Sequence, residues 1–473
     1  MRFAGLLVLA ACVAAAQTPC GQLATVRIEH ATIAAVEALP THCRVALVLA
    51  PTSDSHIEVE VWMPSSNWNG KFQAVGNGGW AGSISIEAMT AALREGYATA
   101  STDTGHKSKE TPGGSFVPGH PEKFIDYGYR AVHEMTLAAK KLIDAHYGRP
   151  ARLAYWNSCS NGGRQGLMEA QRYPEDFDGI VAGAPAANWT GRAIGSLWVA
   201  QLVHKEEASY IPPQKYALLH EAALRACDGL DGVVDGVIED PRRCKVDPAA
   251  LLCHGEDAAN CLTAAQVDAA RGIYAARGFY PGLAPGSELG WGTYAGPKPF
   301  SIGNDHARFV LYRDAAWDYR TLDAAAASTE AVRVDQGTTN ALNPDLRPFF
   351  AHGGKLIQYH GWSDPQIPPM HSVNYYESVI EKVGAEIAGS SYRLYMVPGM
   401  AHCGGGAGPN QFHAMAAMER WREAGVAPQL MVAARVVSNR VERTRPLCPY
   451  PQTAEYTGTG STNDASNFVC KAR

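Results

Sequence analysis

Residues 56 to 63, HIEVEVWM, alternate apolar and polar side chains as a strand with one buried face does. Lys71 to Val75 is a short apolar stretch that runs into Gly76-Asn-Gly-Gly-Trp-Ala-Gly82, and Tyr97 to Ser101 is another that runs into Thr102-Asp-Thr-Gly-His106. From 123 to 147 the apolar residues Phe124, Tyr127, Ala131, Met135, Ala138 and Leu142 fall three or four apart, which predicts an amphipathic helix. Leu153 to Trp156 predicts a strand, the residues after Ser160 a helix to about Arg172, and Gly179 to Ala182 a strand again. Lys355 to His360 and Tyr392 to Val397 repeat the short buried type, with a helix near Asn410 to Ala424.

Strands alternating with helices predict a mainly parallel sheet covered on both faces. Between about Asn188 and Pro348 that rhythm is lost, and the stretch holds four cysteines with Gly- and Pro-rich segments. We read it as an insertion folding over the sheet's top edge. The expected division is a leader over 1–16, a first core segment over 17–187, a lid insertion over 188–348 and a second core segment over 349–473.

Composition adds little beyond class: 473 residues, 46% hydrophobic, 18% charged and a formal net charge of -5 suit a globular enzyme. No basic patch suggests nucleic acid. The start of the chain changes the picture more. Met1-Arg2-Phe3, an apolar run from Ala4 to Ala16 and Ala14-x-Ala16 before Gln17 are the parts of a cleaved export signal. A second reading takes Leu9-Ala-Ala-Cys12 as a lipobox, which would anchor the protein through Cys12. Elsewhere no stretch approaches the roughly 18 apolar residues of a membrane span.

Cleavage after Ala16 removes Cys12 and leaves an even set of cysteines, which in an exported chain favours disulfides. Cys227 with Cys244, Cys253 with Cys261, and Cys448 with Cys470 are close in sequence, and Cys20 can pair with Cys43. Cys159 and Cys403 remain for each other. A zinc site is disfavoured because no CxxC spacing occurs.

Cys159 immediately precedes a serine that breaks an apolar run, in Tyr155-Trp-Asn-Ser-Cys-Ser-Asn-Gly-Gly-Arg164. A serine between strand and helix, followed by Gly162 and Gly163, fits a nucleophile elbow, although position 158 carries serine where that turn expects glycine. A serine nucleophile needs a base, and the base an orienting acid. Asp364, in Gly361-Trp-Ser-Asp-Pro, and His402, in Pro398-Gly-Met-Ala-His-Cys-Gly404, each follow a short apolar strand, in the chain order Ser, Asp, His of an α/β-hydrolase. A Cys159–Cys403 bond would then clamp Ser160 beside His402, since a disulfide holds its Cα atoms about 4.4–6.8 Å apart.

The Cys-Ser-x-Gly-Gly elbow, the Asp loop and the His-Cys pair resemble the tannase and feruloyl esterase family, which includes the mono(2-hydroxyethyl) terephthalate hydrolases. The similarity spans nearly the whole mature chain and takes in the 76–82 and 102–106 turns and the cysteine pairs at 227/244, 253/261 and 448/470. Ser158 departs from the pattern. The resemblance implies a disulfide-rich α/β-hydrolase fold with an inserted lid domain, and an oxyanion hole from the backbone amides of Asn161 and of the Gly78-Gly79 turn, with Gly79 favoured. It also implies hydrolysis of small aromatic esters, of feruloyl or galloyl type, without an organic cofactor. A terephthalate monoester is the alternative substrate, and a calcium-stabilised binding protein without turnover the alternative class.

In the insertion, Cys227-Asp-Gly-Leu-Asp-Gly-Val-Val-Asp-Gly-Val237 crowds Asp228, Asp231 and Asp235 into one turn-rich loop. Residues alone leave a solvated acidic turn and a calcium site both open. The resemblance implies structural Ca2+, with backbone carbonyls of Val233 and Val237 as further ligands. The aromatic run Phe309 to Tyr319 fits ordinary core or an acyl pocket, and we assign no substrate contact there.

Overall fold

The computed structural model describes residues 17–472, so the leader, Cys12 and the final Arg473 lie outside the described residues. Nine strands build the main sheet: β1 (Ala31–Ala38), β2 (His42–Leu49), β3 (Ile57–Pro64), β4 (Lys71–Ala74), β5 (Ala98–Thr102), β6 (Leu153–Cys159), β7 (Gly179–Gly183), β8 (Lys355–Gly361) and β9 (Tyr392–Val397). Their spatial order is β1-β2-β3-β5-β4-β6-β7-β8-β9.

The sheet is mainly parallel, as expected, and carries an antiparallel flank. β1, β2, β3 and β5 pair antiparallel, whereas β5-β4-β6-β7-β8-β9 is parallel throughout. The reason is loop length. Residues 39–41 and 50–56 are too few to carry a crossover helix, so the first strands can only turn back on themselves. β1 also escapes the pattern because it is an edge strand on which no side chain is fully buried.

The parallel half follows from alternation on strands buried on both sides. In β7, Ile180 and Ala182 face one apolar cluster, which takes in Ala131, Met135 and Leu142 of helix α1 (Ala131–Tyr147), Leu167 of α2 (Asn161–Arg172) and Val379 of α4 (Met370–Val383). Val181 faces the other, with Tyr395 of β9 and Met418 and Trp421 of α5 (Ala414–Ala424). Helices therefore cover both faces. The helix predicted over 123–147 is interrupted: a short turn of helix over Pro121–Ile125 and a widened turn over Asp126–Arg130 precede α1.

Between β7 and β8 no strand joins the sheet. This long excursion opens with α3 (Trp189–Val203) and continues through short helices that pack around Leu219, Trp291 and Tyr294. It meets the core where Trp189 and Val310 join Trp80, Phe116, Tyr127 and Ile367 in one cluster. The C-terminal segment adds two hairpins, and the Cys448–Cys470 bond holds the 457–466 loop between the last two strands.

Candidate active site

β6 ends at Cys159 and α2 begins at Asn161, leaving Ser160 at the turn with φ 65° and ψ −125°. That left-handed backbone is rare for a residue with a Cβ and marks a strained turn. It is held by the Ser160 N–H donating to Gly183 O at 2.9 Å. The two glycines that follow are required by space. A Cβ on Gly162 would lie 1.9 Å from Ser158 Oγ, and one on Gly163 would lie 2.3 Å from Gly183 O. The serine at 158 is thus accommodated because Gly162 leaves room for its hydroxyl.

The structure brings Ser160, His402 and Asp364 together from three strand ends. Ser160 Oγ lies 2.9 Å from His402 Nε2, and His402 Nδ1 lies 2.7 Å from Asp364 Oδ2. Asp364 is fully buried, and its Oδ1 accepts the N–H groups of Gln366 at 2.7 Å and Ile367 at 3.0 Å. Burial alone would raise its pKa, but the charge of His402 and hydrogen bonds from His360 and His402 outweigh it and hold the carboxyl far below its ordinary range.

His360, at the end of β8, went unnoticed in the sequence. Its Nε2 sits 3.1 Å from both Asp364 Oδ2 and Ile367 O, two acceptors, so that nitrogen carries the proton. Its Nδ1 then accepts from Ser372 Oγ at 2.7 Å. Asp364 is consequently gripped from both sides, and the imidazole it presents to Ser160 is His402. A histidine four residues before the aspartate was the available signal, but a strand-end histidine is commonplace.

The Cys159–Cys403 bond spans a sequence separation of 244 with Cα atoms 6.0 Å apart. It joins the residue before Ser160 to the residue after His402. The other four pairs also form as the sequence suggested.

Asn161 and Gly79 face the same region through Tyr127, whose hydroxyl lies 2.9 Å from Gly79 O and 3.3 Å from Asn161 Oδ1. The Asn161 amide opens α2, where first-turn N–H groups have no acceptor within the helix. Buried Arg164 fixes Asn161 Oδ1 at 2.7 Å. Gln165 ties the glycine turn to α2, accepting from Asn77 N at 3.1 Å and donating to Asn77 Oδ1 at 3.2 Å. Periodicity placed Tyr127 on a core face and could not show this second task.

In the insertion, Asp228 accepts from the N–H groups of Asp235 at 3.0 Å and Gly236 at 2.9 Å. Asp231 accepts from Val233 N at 3.0 Å, and Asp235 from Val237 N at 3.2 Å. The loop folds back so that its carboxylates repel: burial first, then Asp235 and Asp228, raise the pKa of Asp231. Burial also pushes nearby Glu239 up to about 8, with Asp231 and Asp235 adding to the shift. Arg445 and Arg443 pair with Asp235 and offset part of the charge. A crowded all-oxygen donor set of this kind fits a hard cation.

The family profile described as tannase and feruloyl esterase matches residues 43–471. An uncharacterized esterase of Xanthomonas campestris pv. campestris is 38% identical over 92% of this chain and 85% of its own length. A probable feruloyl esterase B-1 of Aspergillus oryzae is 34% identical over 90% of this chain and 83% of its own. Among solved structures, feruloyl esterase B from Aspergillus oryzae superposes with a TM-score of 0.90 at 31% identity, covering 96% of this chain and 99% of that one. The tannin acyl hydrolase from Aspergillus niger shares the fold, with a TM-score of 0.80 at 22% identity over 97% and 94% of the two chains. A match along nearly the whole described chain, on an α/β-hydrolase sheet with a lid between β7 and β8, shows that the chain belongs to the tannase and feruloyl esterase family.

Proposed function

We propose that the protein is an exported serine esterase that hydrolyses esters of hydroxylated aromatic acids, of feruloyl or galloyl type, through an acyl-enzyme. The observation that carries this reading is the hydrogen-bonded chain from Ser160 through His402 to Asp364, at 2.9 and 2.7 Å. Family membership supports the ester class. Five disulfides suit an oxidising compartment. Among the described residues no helix is long and apolar enough to cross a membrane.

In this mechanism Ser160 Oγ attacks the ester carbonyl while His402 Nε2 takes its proton. The oxyanion receives the amides of Asn161 and Gly79, each such donor contributing about 3–4 kcal/mol in the transition state. The tetrahedral adduct expels the alcohol, which leaves with the proton from His402. Water then gives a proton to His402 and its oxygen to the acyl carbon, and collapse breaks the bond to Ser160 Oγ, which takes that proton back from His402 as the acid is released. The buried aromatic cluster of Trp80, Phe116, Tyr127 and Trp189 backs the Gly79 turn, to which the Tyr127 hydroxyl donates a hydrogen bond.

The test is initial rate on methyl ferulate, methyl gallate and mono(2-hydroxyethyl) terephthalate, with Ser160→Ala as control. A Ser160-dependent preference for ferulate or gallate is expected. Preference for the terephthalate monoester would reassign the acyl pocket, and failure of a fluorophosphonate to label Ser160 would favour a binding protein without turnover.

The Cys159–Cys403 bond acts as a clamp on the reacting pair. Replacing both cysteines by serine should lower kcat by about 10- to 100-fold, the cost of misplacing reacting groups by roughly an ångström. The assay belongs well below the melting temperature of the variant. An unchanged kcat with a lowered Tm would leave the bond as a structural staple alone.

Calcium would be held by the carboxylates of Asp228, Asp231 and Asp235 and the carbonyls of Val233 and Val237. When bound it supplies charge neutralisation, not chemistry. It works beside the Cys227–Cys244 bond, whose 17-residue separation corresponds to about 3 kcal/mol in a chain-entropy treatment. Chelation should lower the Tm by about 1–3 °C, the effect of about 1–3 kcal/mol in a chain of this length, with little change in turnover at low temperature. Immediate loss of turnover in a still-folded protein would contradict a structural role.

A further inference from the structure

A second cluster lies away from the reacting groups, around the helix that follows Ser160. Glu169 stands nine residues beyond Ser160, about 13 Å along α2 at the usual helical rise. Ligand atoms of Glu169, His133 on α1 and Asp176 in the loop before β7 all lie within 4.8 Å of one another. Among the described residues this is the one such grouping of three His, Cys, Asp or Glu side chains. Glu169 is 1% exposed and neither of its carboxylate oxygens has a hydrogen-bond partner. Asp176 is 5% exposed, and its Oδ2 lies 2.6 Å from His133 Nδ1.

Two carboxylates can only accept. Facing each other out of water they need a positive species between them, either a proton or a metal ion. Lys140 does not fill the gap, since its Nζ stands 4.0 Å from the other Asp176 oxygen. The third member decides the chemistry. An imidazole nitrogen with two carboxylate oxygens is the donor set of zinc and related transition ions, whereas calcium and magnesium take oxygen alone. The His133 side chain, 22% exposed and stacked at 3.7 Å on Tyr173, gives the cluster a route to solvent.

We propose that His133, Glu169 and Asp176 form a binding site for one divalent transition-metal ion of the zinc class, distinct from the carboxylate loop of the insertion. The ion would cross-link α1, the α2 helix that follows the nucleophile, and the approach to β7. Bonds of about 2.0–2.2 Å to each ligand would require His133 Nδ1 and Asp176 Oδ2, now 2.6 Å apart, to open to roughly 3.4 Å around a tetrahedral ion. Its role is structural, because the cluster touches none of the reacting atoms.

The experiment titrates the full chain, freed of metal and held in excess calcium, with Zn2+ by calorimetry and with Co2+ by visible absorption. Wild type should take up one ion per chain, with ligand-field bands for Co2+ and a raised Tm. Glu169→Gln, whose amide can donate to Asp176, and His133→Phe, which keeps the stacking on Tyr173, should lose the ion and the Tm increment. Circular dichroism and ester turnover should stay at wild-type values in both. Uptake persisting in both variants would place the ion elsewhere and overturn the proposal. So would a wild type that binds neither metal and shows the infrared carbonyl band of a neutral carboxyl that disappears in Glu169→Gln, since a shared proton then fills the gap.

Discussion

Ser160→Ala should abolish ester turnover, lowering kcat by about 10^4- to 10^6-fold while leaving the fold intact. The loss follows from one atom. Oγ is the group within 2.9 Å of His402 Nε2, and alanine leaves that nitrogen nothing to deprotonate. Stability should hold because alanine keeps the Cβ and so neither adds to nor relieves the strain at φ 65°. Ser160→Gly separates the two effects. It should be equally inactive, yet glycine occupies this backbone region freely, and relief of strain worth about 1–3 kcal/mol should offset its greater chain entropy. Rates with methyl ferulate and thermal melts on the three proteins provide the check. Retention of more than a hundredth of wild-type kcat in Ser160→Ala would require a different nucleophile.

Asp364→Asn should cost about 10^4-fold in kcat. Asp364 Oδ2 receives hydrogen bonds from both His402 Nδ1 and His360 Nε2. An amide presents either a single oxygen or a donor there, so it can no longer fix the His402 proton on Nδ1 and stabilise the imidazolium that forms. A pH signature accompanies the loss. The folded-state pKa of Asp364 is depressed, so its ionised form contributes stability above the unfolded value, about 3.9 for an aspartate, and that contribution fades as pH falls below it. The Tm gap between wild type and Asp364→Asn should therefore be widest near neutrality and narrow below about pH 4. A constant gap across that range would mean that ionisation of Asp364 is not coupled to folding, and near-normal turnover would mean that another group orients His402.

Both substitutions target residues whose candidacy was legible in the sequence, and the reason is local. A nucleophile elbow needs small residues at fixed offsets, which Gly162 and Gly163 supply. An acid and a base at strand ends appear as single polar residues after apolar runs, as Asp364 and His402 do. The parallel strands were readable for the same reason, because β7, β8 and β9 are short apolar runs bounded by turn residues. The cysteine pairs were readable through parity and proximity, except that Cys159 and Cys403 were joined by elimination rather than by any local signal.

What the sequence determined by itself is therefore the chemistry available and the order in which the chain presents it: a serine on a turn, an acid, a base, and a thiol beside two of them. Tertiary structure decided everything that depends on approach between distant segments. It set the antiparallel hairpin of β1 and β2, whose exposed edge leaves little hydrophobic pattern, and the second grip of His360 on Asp364. It made Tyr127 the link between Gly79 and Asn161, and it faced Glu169 with Asp176 and His133 in a buried gap. Periodicity reports only whether a side chain turns inward. Which partner it meets there depends on how helices and strands far apart in the chain pack, and that is a property of the assembled core.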